Sequence, residues 1–166
     1  MSIEGKSRPQ MPLGEALAAS DTATQVAGLC WRMSGRKLEV LLVTSRDTGR
    51  WIIPKGWPIK SLSHAQSALR EAFEEAGVDG AAAKTRIGYY PYIKIMGEDC
   101  GIPCSVDVYP IKVKRLLDAF PEKGQRRRKW FPLEKAALKV DEPELAEMLR
   151  NFAPLRPTPE PSQEAS

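Results

Sequence analysis

The chain has 166 residues, of which 42% are hydrophobic and 28% charged, and its formal net charge is +4. This length allows one domain with a substantial core and is too short for two comfortable domains. No segment approaches the roughly 18 apolar residues of a membrane-spanning helix, and the N-terminal residues lack the apolar stretch of a secretion signal. We therefore predict a cytoplasmic protein with no membrane partner.

The first fifty residues combine strand-forming stretches with turn residues. Residues 1–20 are predicted to be a flexible N-terminal arm, followed by a domain that covers residues 21–152. Strands are predicted at 22–33 and 38–44, joined by a tight turn, because strand formers flank a Ser-Gly-Arg sequence. A short buried strand is predicted at 51–53, where a following proline ends it.

The second half of the chain contains longer strands and then helices. We predict strands at 85–96, 105–114 and 128–131, and helices at 133–139 and 142–152. Pro110 predicts that the second of these strands lies at a sheet edge or contains a bulge. Residues 153–166 contain four prolines and are predicted to be disordered. This order of elements predicts an α/β fold in which a mixed sheet lies between helices.

Between residues 56 and 78 the chain has the pattern of an amphipathic helix. Residues three and four apart share a helix face, so Glu71, Glu74 and Glu75 point roughly the same way. Ser61 or Ser63 can cap the start, and Gly77 suits a left-handed C-terminal cap. The helix is predicted to hold its acids at a solvent-facing rim and to pack on the core through an apolar arc, formed by Ala65, Ala68, Leu69, Ala72, Phe73 and Ala76.

Three carboxylates this close repel one another, which a hard divalent cation would offset. Mg²⁺ and Mn²⁺ both prefer carboxylate oxygen. We therefore predict that Glu71, Glu74 and Glu75 are metal ligands, with Mg²⁺ or Mn²⁺ as the cofactor. The alternative is a solvated acidic face with no ligand, which is common on amphipathic helices.

This segment resembles the Nudix box, G-x5-E-x7-R-E-U-x-E-E-x-G-U, where U is aliphatic. The matching positions are Gly56, Arg70, Glu71, Ala72, Glu74, Glu75, Gly77 and Val78. Leu62 stands where the family has its first glutamate, which helps to hold the loop and helix together, partly by pairing with the motif arginine. The resemblance implies a Nudix-type α/β/α sandwich and a catalytic, metal-binding role for the helix. Glu71, Glu74, Glu75 and Arg70 are the implied catalytic residues, with one glutamate or a loop residue as the general base.

The resemblance extends over residues 23–150 and looks like the diphosphoinositol polyphosphate phosphohydrolase branch. It includes a W-F-x-x-E-x-A signature that begins at Trp130. The branch has a glycine-rich PGGG sequence where this chain has PKGW. Lys55 and Trp57 therefore give the site a bulkier and more basic mouth, and both are predicted to contact substrate.

A dense basic run covers residues 125–130. Such runs attract phosphate-rich partners. We predict that Arg126 and Arg128 bind substrate and favour long polyphosphates. The alternative is that the run is an ordinary solvated strand edge.

The sequence is compatible with three functions. The leading one is a metal-dependent hydrolase that cleaves a phosphoanhydride bond in a small nucleoside, dinucleoside or inositol polyphosphate. The second is a pyrophosphohydrolase of RNA 5′ ends, the one nucleic-acid partner considered. The third is a catalytically silent binding module. Only Leu62 favours it, and the three glutamates argue against it, because a pure binder has little reason to retain three repelling acids. We predict instead that Leu62 packs in the apolar arc with Leu69 and Phe73.

Overall fold

The computed structural model describes residues 22–98 and 100–155. Eight strands form one sheet in this part of the chain. In chain order they are β1 (Ala23–Ser34), β2 (Lys37–Thr44), β3 (Trp51–Ile52), β4 (Lys55–Gly56), β5 (Val78–Ala82), β6 (Gly88–Gly97), β7 (Cys100–Leu116) and β8 (Arg128–Pro132). The helices are α1 (His64–Ala76), α2 (Leu133–Lys139) and α3 (Pro143–Asn151).

The sheet is mixed, as predicted. Its central path is β3-β2-β1-β7-β5, while β4 pairs with β1, β6 with β7 and β8 with β2. The long neighbours β1 and β7 run parallel, and the other pairs are antiparallel. This arrangement brings the start of β1 beside β4, directly before α1.

Both faces of the central strands are buried, which explains their high apolar content. Along β1, Ala27 and Leu29 pack on one face with α2 and α3. Val26 and Cys30 belong to the opposite face, where Ala68 and Ala72 of α1 pack. The domain is therefore the α/β/α sandwich expected from the sequence, and among residues 22–98 and 100–155 α1 is the one helix on its face of the sheet.

Pro110 lies inside β7, which pairs with β1 along one side, so the predicted edge position was wrong. A register shift does occur where β7 pairs with β5, but it falls between Asp79 and Gly80, opposite residues 113–115, and not at Pro110. The pairing of β6 with β7 begins at Val108, and the pairing of β5 extends only to Ile111. The missing N–H of Pro110 therefore falls between two partner strands. Its carbonyl accepts a hydrogen bond from the Ala83 N–H at 2.8 Å, so the one backbone polar group that proline retains is paired.

Other boundaries also differ from the predictions. Strand β7 is longer than predicted, β6 begins at Gly88 instead of residue 85, and neither β4 nor β5 was predicted. The predicted N-terminal arm and residues 156–166 lie outside the described residues. Within residues 22–98 and 100–155, no helix has the length and hydropathy needed to cross a membrane.

Candidate active site

Helix α1 begins and ends at residues whose local chemistry defines its limits. Ser63 is the N-cap, and it forms a capping box in which its hydroxyl accepts from the Gln66 N–H at 3.1 Å. Gly77 ends the helix in the left-handed region, with φ 69°. A Cβ at Gly77 would lie 2.6 Å from a Phe120 ring carbon. The serine N-cap and the left-handed glycine C-cap are both residue types that the sequence predicted for the two ends of this helix.

The buried face of α1 differs from the predicted apolar arc. Its alanines are buried as expected, but Leu69 and Phe73 are only half-buried. Glu75 is 6% exposed, so the prediction that all three acids face solvent was wrong for this residue. The helix packs closely on the sheet through small side chains. Glu75 lies two turns after Ala68 on the same helix face, so it is buried against the sheet as well.

Glu75 has a buried carboxylate that is incompletely satisfied. Its Oε2 lies 3.8 Å from Nη2 of Arg126, while no hydrogen-bond donor among the described residues reaches Oε1. The Glu71 carboxyl lies within hydrogen-bonding reach of the Glu75 side chain. Burial raises the pKa of Glu75 to about 8, against the opposing charge of Arg126 and with a further contribution from Glu71. An unpaired buried carboxylate oxygen is costly, and a cation at this position would satisfy it.

Glu71 lies against the backbone of β4. A Cβ built on Gly56 would be 2.4 Å from the Glu71 carboxyl carbon, so only glycine allows the carboxylate to occupy this position. Burial raises the pKa of Glu71, and the charge of Glu74 adds to this effect, while a side-chain hydrogen bond with Glu75 opposes it. Glu74 is half-buried, and its backbone carbonyl accepts a hydrogen bond from the Glu122 N–H at 2.9 Å.

These residues fit a hard divalent cation through two carboxylates. Within residues 22–98 and 100–155, no group of three His, Cys, Asp or Glu side chains converges as a preformed metal cage. Mg²⁺ does not require such a cage, since it commonly uses one or two carboxylates and completes its octahedron with waters and substrate phosphates. Glu71 and Glu75 would supply this donor set, and Oε1 of Glu75, which no hydrogen-bond donor among the described residues reaches, is the atom best suited to it.

Arg126 and Arg128 have partners inside the fold. The side chain of Arg126 is 9% exposed, and its Nε is 2.9 Å from Oε1 of Glu122. Nη1 of Arg128 donates to the Ala76 carbonyl at 2.7 Å, at the end of α1. These contacts hold Glu75 and the helix end in place. Direct contact of either arginine with substrate stays a prediction. The alternative of an ordinary solvated strand edge does not fit these two residues, because their side chains bind groups inside the fold.

Strand β4 separates two sides of the sheet. Gly56 faces the Glu71 carboxylate, while the side chain of Lys55 reaches the other side, where Nζ lies 4.6 Å from the centre of the Tyr92 ring. Burial lowers the pKa of Lys55, and the charge of Glu75 opposes this change. Trp57 is 40% exposed. The structure therefore places the Lys55 side chain on the sheet face opposite the Glu71 carboxylate, against Tyr92, and it places Trp57 at the surface.

Arg70 and Leu62 lie apart from the carboxylate pair. Arg70 is exposed, and both residues line a surface groove of about 500 Å³ together with Leu69 and Phe73. Leu62 precedes the helix, which begins at His64, so it is not part of the helical arc. Its predicted apolar neighbours nevertheless share its groove.

Ser67 connects the loop to the helix where the motif glutamate is absent. Its side chain is fully buried, and its hydroxyl accepts a hydrogen bond from the Ile59 N–H at 2.9 Å. Sequence reasoning missed this residue, although a serine on the buried side of an alanine-rich helix was a usable signal. Glu122, the partner of Arg126, had no such signal because it lies in a turn far along the chain.

Leu62→Glu is expected to leave turnover within about tenfold of the wild type and stability unchanged or lower. An exposed ion pair with Arg70 gives only about 0–1 kcal/mol, and Leu62 is only half-buried, so its replacement removes part of the roughly 1.5–3 kcal/mol of a fully buried leucine. Turnover and urea unfolding measure the two effects. Leu62→Gln is the matched control, since it removes the leucine without adding charge. An inactive wild type that becomes strongly active as Leu62→Glu would instead support the silent binding module.

Comparison with known proteins identifies relatives of the whole domain. The family model described as NUDIX domain matches residues 23–152. The human protein diphosphoinositol polyphosphate phosphohydrolase 3-alpha is 33% identical over 133 residues, which are 77% of this chain and 76% of that protein. Nudix hydrolase 12, mitochondrial, of Arabidopsis thaliana is 31% identical over 103 residues, which are 60% of this chain. The match spans only 51% of that relative's length.

Solved structures share the fold at low sequence identity. A C. elegans Ap4A hydrolase binary complex superposes with a TM-score of 0.58 and 20% identity, covering 78% of this chain and 93% of that chain. The NUDIX domain of Shewanella oneidensis NrtR, crystallised with ADP ribose, has a TM-score of 0.57 and 19% identity, and covers 84% of this chain and 97% of its own. At these identities the likeness establishes the fold.

Proposed function

Because this chain belongs to the Nudix family, we propose that it is a metal-dependent hydrolase that cleaves a phosphoanhydride bond in a small polyphosphate substrate. The candidate substrates are nucleoside or dinucleoside polyphosphates and diphosphoinositol polyphosphates. The observation that carries the proposal is the buried Glu75 carboxylate with its unpartnered Oε1, on the same helix as Glu71. The names of the relatives support both substrate classes, since they include an Ap4A hydrolase and a diphosphoinositol polyphosphate phosphohydrolase.

The residues divide the work of the reaction. Glu71 and Glu75 would hold the divalent ion, with Glu74 as a further candidate ligand, and Arg126 orients the Glu75 carboxylate. When bound, such an ion polarises a phosphoryl oxygen and lowers the pKa of a coordinated water. Lys55, the residue before Gly56 in β4, neutralises phosphate charge on the part of the substrate that lies away from the carboxylates. Either a glutamate of α1 or a loop residue acts as general base.

A hydrolysis screen tests the proposal, with the release of any phosphate-containing product, whether nucleotide, pyrophosphate or orthophosphate, followed by anion-exchange chromatography. Its substrates are dinucleoside polyphosphates, nucleoside diphosphate sugars, triphosphorylated RNA and inositol pyrophosphates, each with Mg²⁺, with Mn²⁺ and with EDTA. The proposal predicts metal-dependent release from at least one small polyphosphate. Release from RNA alone would favour the 5′-end pyrophosphohydrolase. Tight binding without release from any substrate would favour the silent binding module.

The metal-free protein is expected to lose stability as pH rises from about 5 to 8. The pKa of Glu75 is raised by burial from 4.5 to about 8 in the folded state. The folded protein therefore binds a proton that the unfolded chain releases, so the free energy of unfolding falls across this interval. Urea unfolding in EDTA at several pH values measures this fall. Glu75→Gln is the control, because its amide does not titrate; identical pH profiles for the two proteins would contradict the buried carboxyl.

A further inference from the structure

A groove of about 920 Å³ lies beside α3, on the sheet face opposite α1. It is lined on one side by residues of the segment 81–89, which joins β5 to β6, and on the other side by α3. Trp31 and Phe152 also line it, although they are only 6% and 9% exposed, so these two aromatic rings form its base. The groove shares no residue with the carboxylate site of α1.

The surface of this groove is largely apolar. Ile87 is 41% exposed and Tyr89 is 58% exposed, and both side chains line the groove. At the base, the rings of Trp31 and Phe152 meet edge to face with their centres 6.1 Å apart. Large exposed apolar surfaces on a soluble domain mark places where another group binds. The volume lies at the upper end of the roughly 300–1,000 Å³ of ligand pockets, so several residues of extended chain fit.

The chain leaves the described domain at this groove. Ala153 and Pro154, directly after the buried Phe152, both line it, and Leu155 is 62% exposed. The sequence RPTPEPSQEAS follows as residues 156–166, which we call the C-terminal tail. The tail therefore begins at the rim of the groove and needs no connecting segment to reach it.

The composition of the tail suits an aromatic groove. Pro157, Pro159 and Pro161 alternate with other residues. Proline-rich segments favour the extended polyproline conformation before they bind, so they lose little conformational entropy when they dock on aromatic side chains. A segment held beside its site by a short link also has an effective concentration of about millimolar. Even a weak contact is then populated within one chain.

The charges of the groove and the tail are complementary. The groove contains Glu144 and Glu147 of α3 together with Lys112 of β7. The tail begins with the cation Arg156 and has its acids further along, the first of them Glu160. One end of the tail can therefore pair with α3 while a later acid pairs with the lysine. Exposed pairs of this kind add little affinity, so their effect is to favour one placement of the tail.

The N-terminal residues are a less suitable occupant of the groove. They join the domain at the start of β1, where Ala23 lies eight residues before Trp31. Eight residues of a strand span roughly 26 Å. An N-terminal segment must cross this distance before it reaches the groove, and the entropic cost of closing such a loop rises with its length. The C-terminal tail has no such distance to cross, because Pro154 already lines the groove.

We propose that the C-terminal tail binds back into this groove of its own chain, with its prolines packed on Trp31 and Phe152. The tail is then a displaceable cover for an apolar surface. The groove orders a segment whose composition alone predicts disorder. This role is separate from the proposed hydrolase function and does not depend on it.

NMR spectroscopy of the full chain tests the proposal. Nuclear Overhauser effects (NOEs) are expected between the proline ring protons of the tail and the Ile87 methyl groups or the Trp31 indole. The backbone order parameters of Thr158 and Glu160 are expected to exceed about 0.6, the value below which a backbone is flexible. Both observations are made on the wild-type chain without any added ligand.

Ile87→Asp is expected to release the tail, because it places a charge in the apolar groove at a partly exposed position. The NOEs should disappear, and the order parameters of Thr158 and Glu160 should fall below about 0.6. Ile95→Asp is the matched control, since Ile95 is 60% exposed on β6 and does not line the groove. This variant should retain the NOEs and the order parameters of the wild type.

A tail variant keeps the test decisive if Ile87→Asp does not fold. It combines Pro157→Ser, Pro159→Ser and Pro161→Ser, which all lie beyond the residues that build the core, and it should also release the tail. Order parameters below about 0.6 in the wild-type tail, without NOEs to the groove, would overturn the proposal. NOEs to the groove from the N-terminal residues would also overturn it. So would NOEs between labelled and unlabelled chains in a mixed sample, which would assign the tail to a second copy.

Discussion

Glu75→Gln is expected to lower turnover by at least about a hundredfold while the protein stays folded. The glutamine keeps the size of the side chain but removes the carboxylate whose Oε1 is buried and unpartnered. A hundredfold fall corresponds to about 2.7 kcal/mol of lost transition-state stabilisation. Stability is expected to be retained, because a neutral amide replaces a group that burial already disfavours in its charged form.

Steady-state rates with the best substrate of the screen, at saturating Mg²⁺, measure this effect. Circular dichroism and thermal unfolding verify the fold. Glu134→Gln is the matched control, since Glu134 is an exposed glutamate on α2 and its substitution should leave turnover unchanged. Near-wild-type turnover of Glu75→Gln would show that catalysis does not require the buried carboxylate.

Gly56→Ala is expected to lower turnover by about tenfold to a hundredfold. The added methyl group would lie 2.4 Å from the Glu71 carboxyl carbon, so the carboxylate must leave its position. Displacements of about 1 Å in a catalytic group can reduce rates by this amount. Because the substitution changes no charge, it tests the position of Glu71 separately from its ionisation.

Gly97→Ala is the matched control for Gly56→Ala. A Cβ at Gly97 meets no atom within 4 Å, so this variant should retain wild-type turnover and metal affinity. Both variants are compared in turnover and in Mg²⁺ dependence. If Gly56→Ala turned over substrate at the wild-type rate and with the same Mg²⁺ requirement, the Glu71 carboxylate would have no essential position beside β4.

Local sequence signals predicted the elements that frame the site. The alternating strand formers before and after Gly35 gave the β1–β2 pair, and Ser63 and Gly77 gave the ends of α1. These signals act within a few residues, where turn chemistry and helix capping dominate. The mixed sheet between helices followed from the order of the elements.

Long-range contacts decided the features that the sequence did not predict. Glu75 reads as exposed from its spacing to Glu71, but the close packing of α1 on the sheet buries it. Arg126 reads as part of a basic run, yet its contacts with Glu122 and Glu75 depend on how β8 aligns beside α1. The pairing of Arg50 with Glu142 joins residues 92 positions apart, and no local pattern indicates it.

Mn²⁺ titration of the wild type, Glu71→Gln and Glu75→Gln, followed by calorimetry, tests the central claim most directly. That claim is that these two carboxylates of α1 hold the catalytic divalent ion. We expect the wild type to bind Mn²⁺ and each variant to lose at least about tenfold in affinity, which corresponds to about 1.4 kcal/mol. Equal Mn²⁺ affinity in the wild type and both variants would contradict the claim.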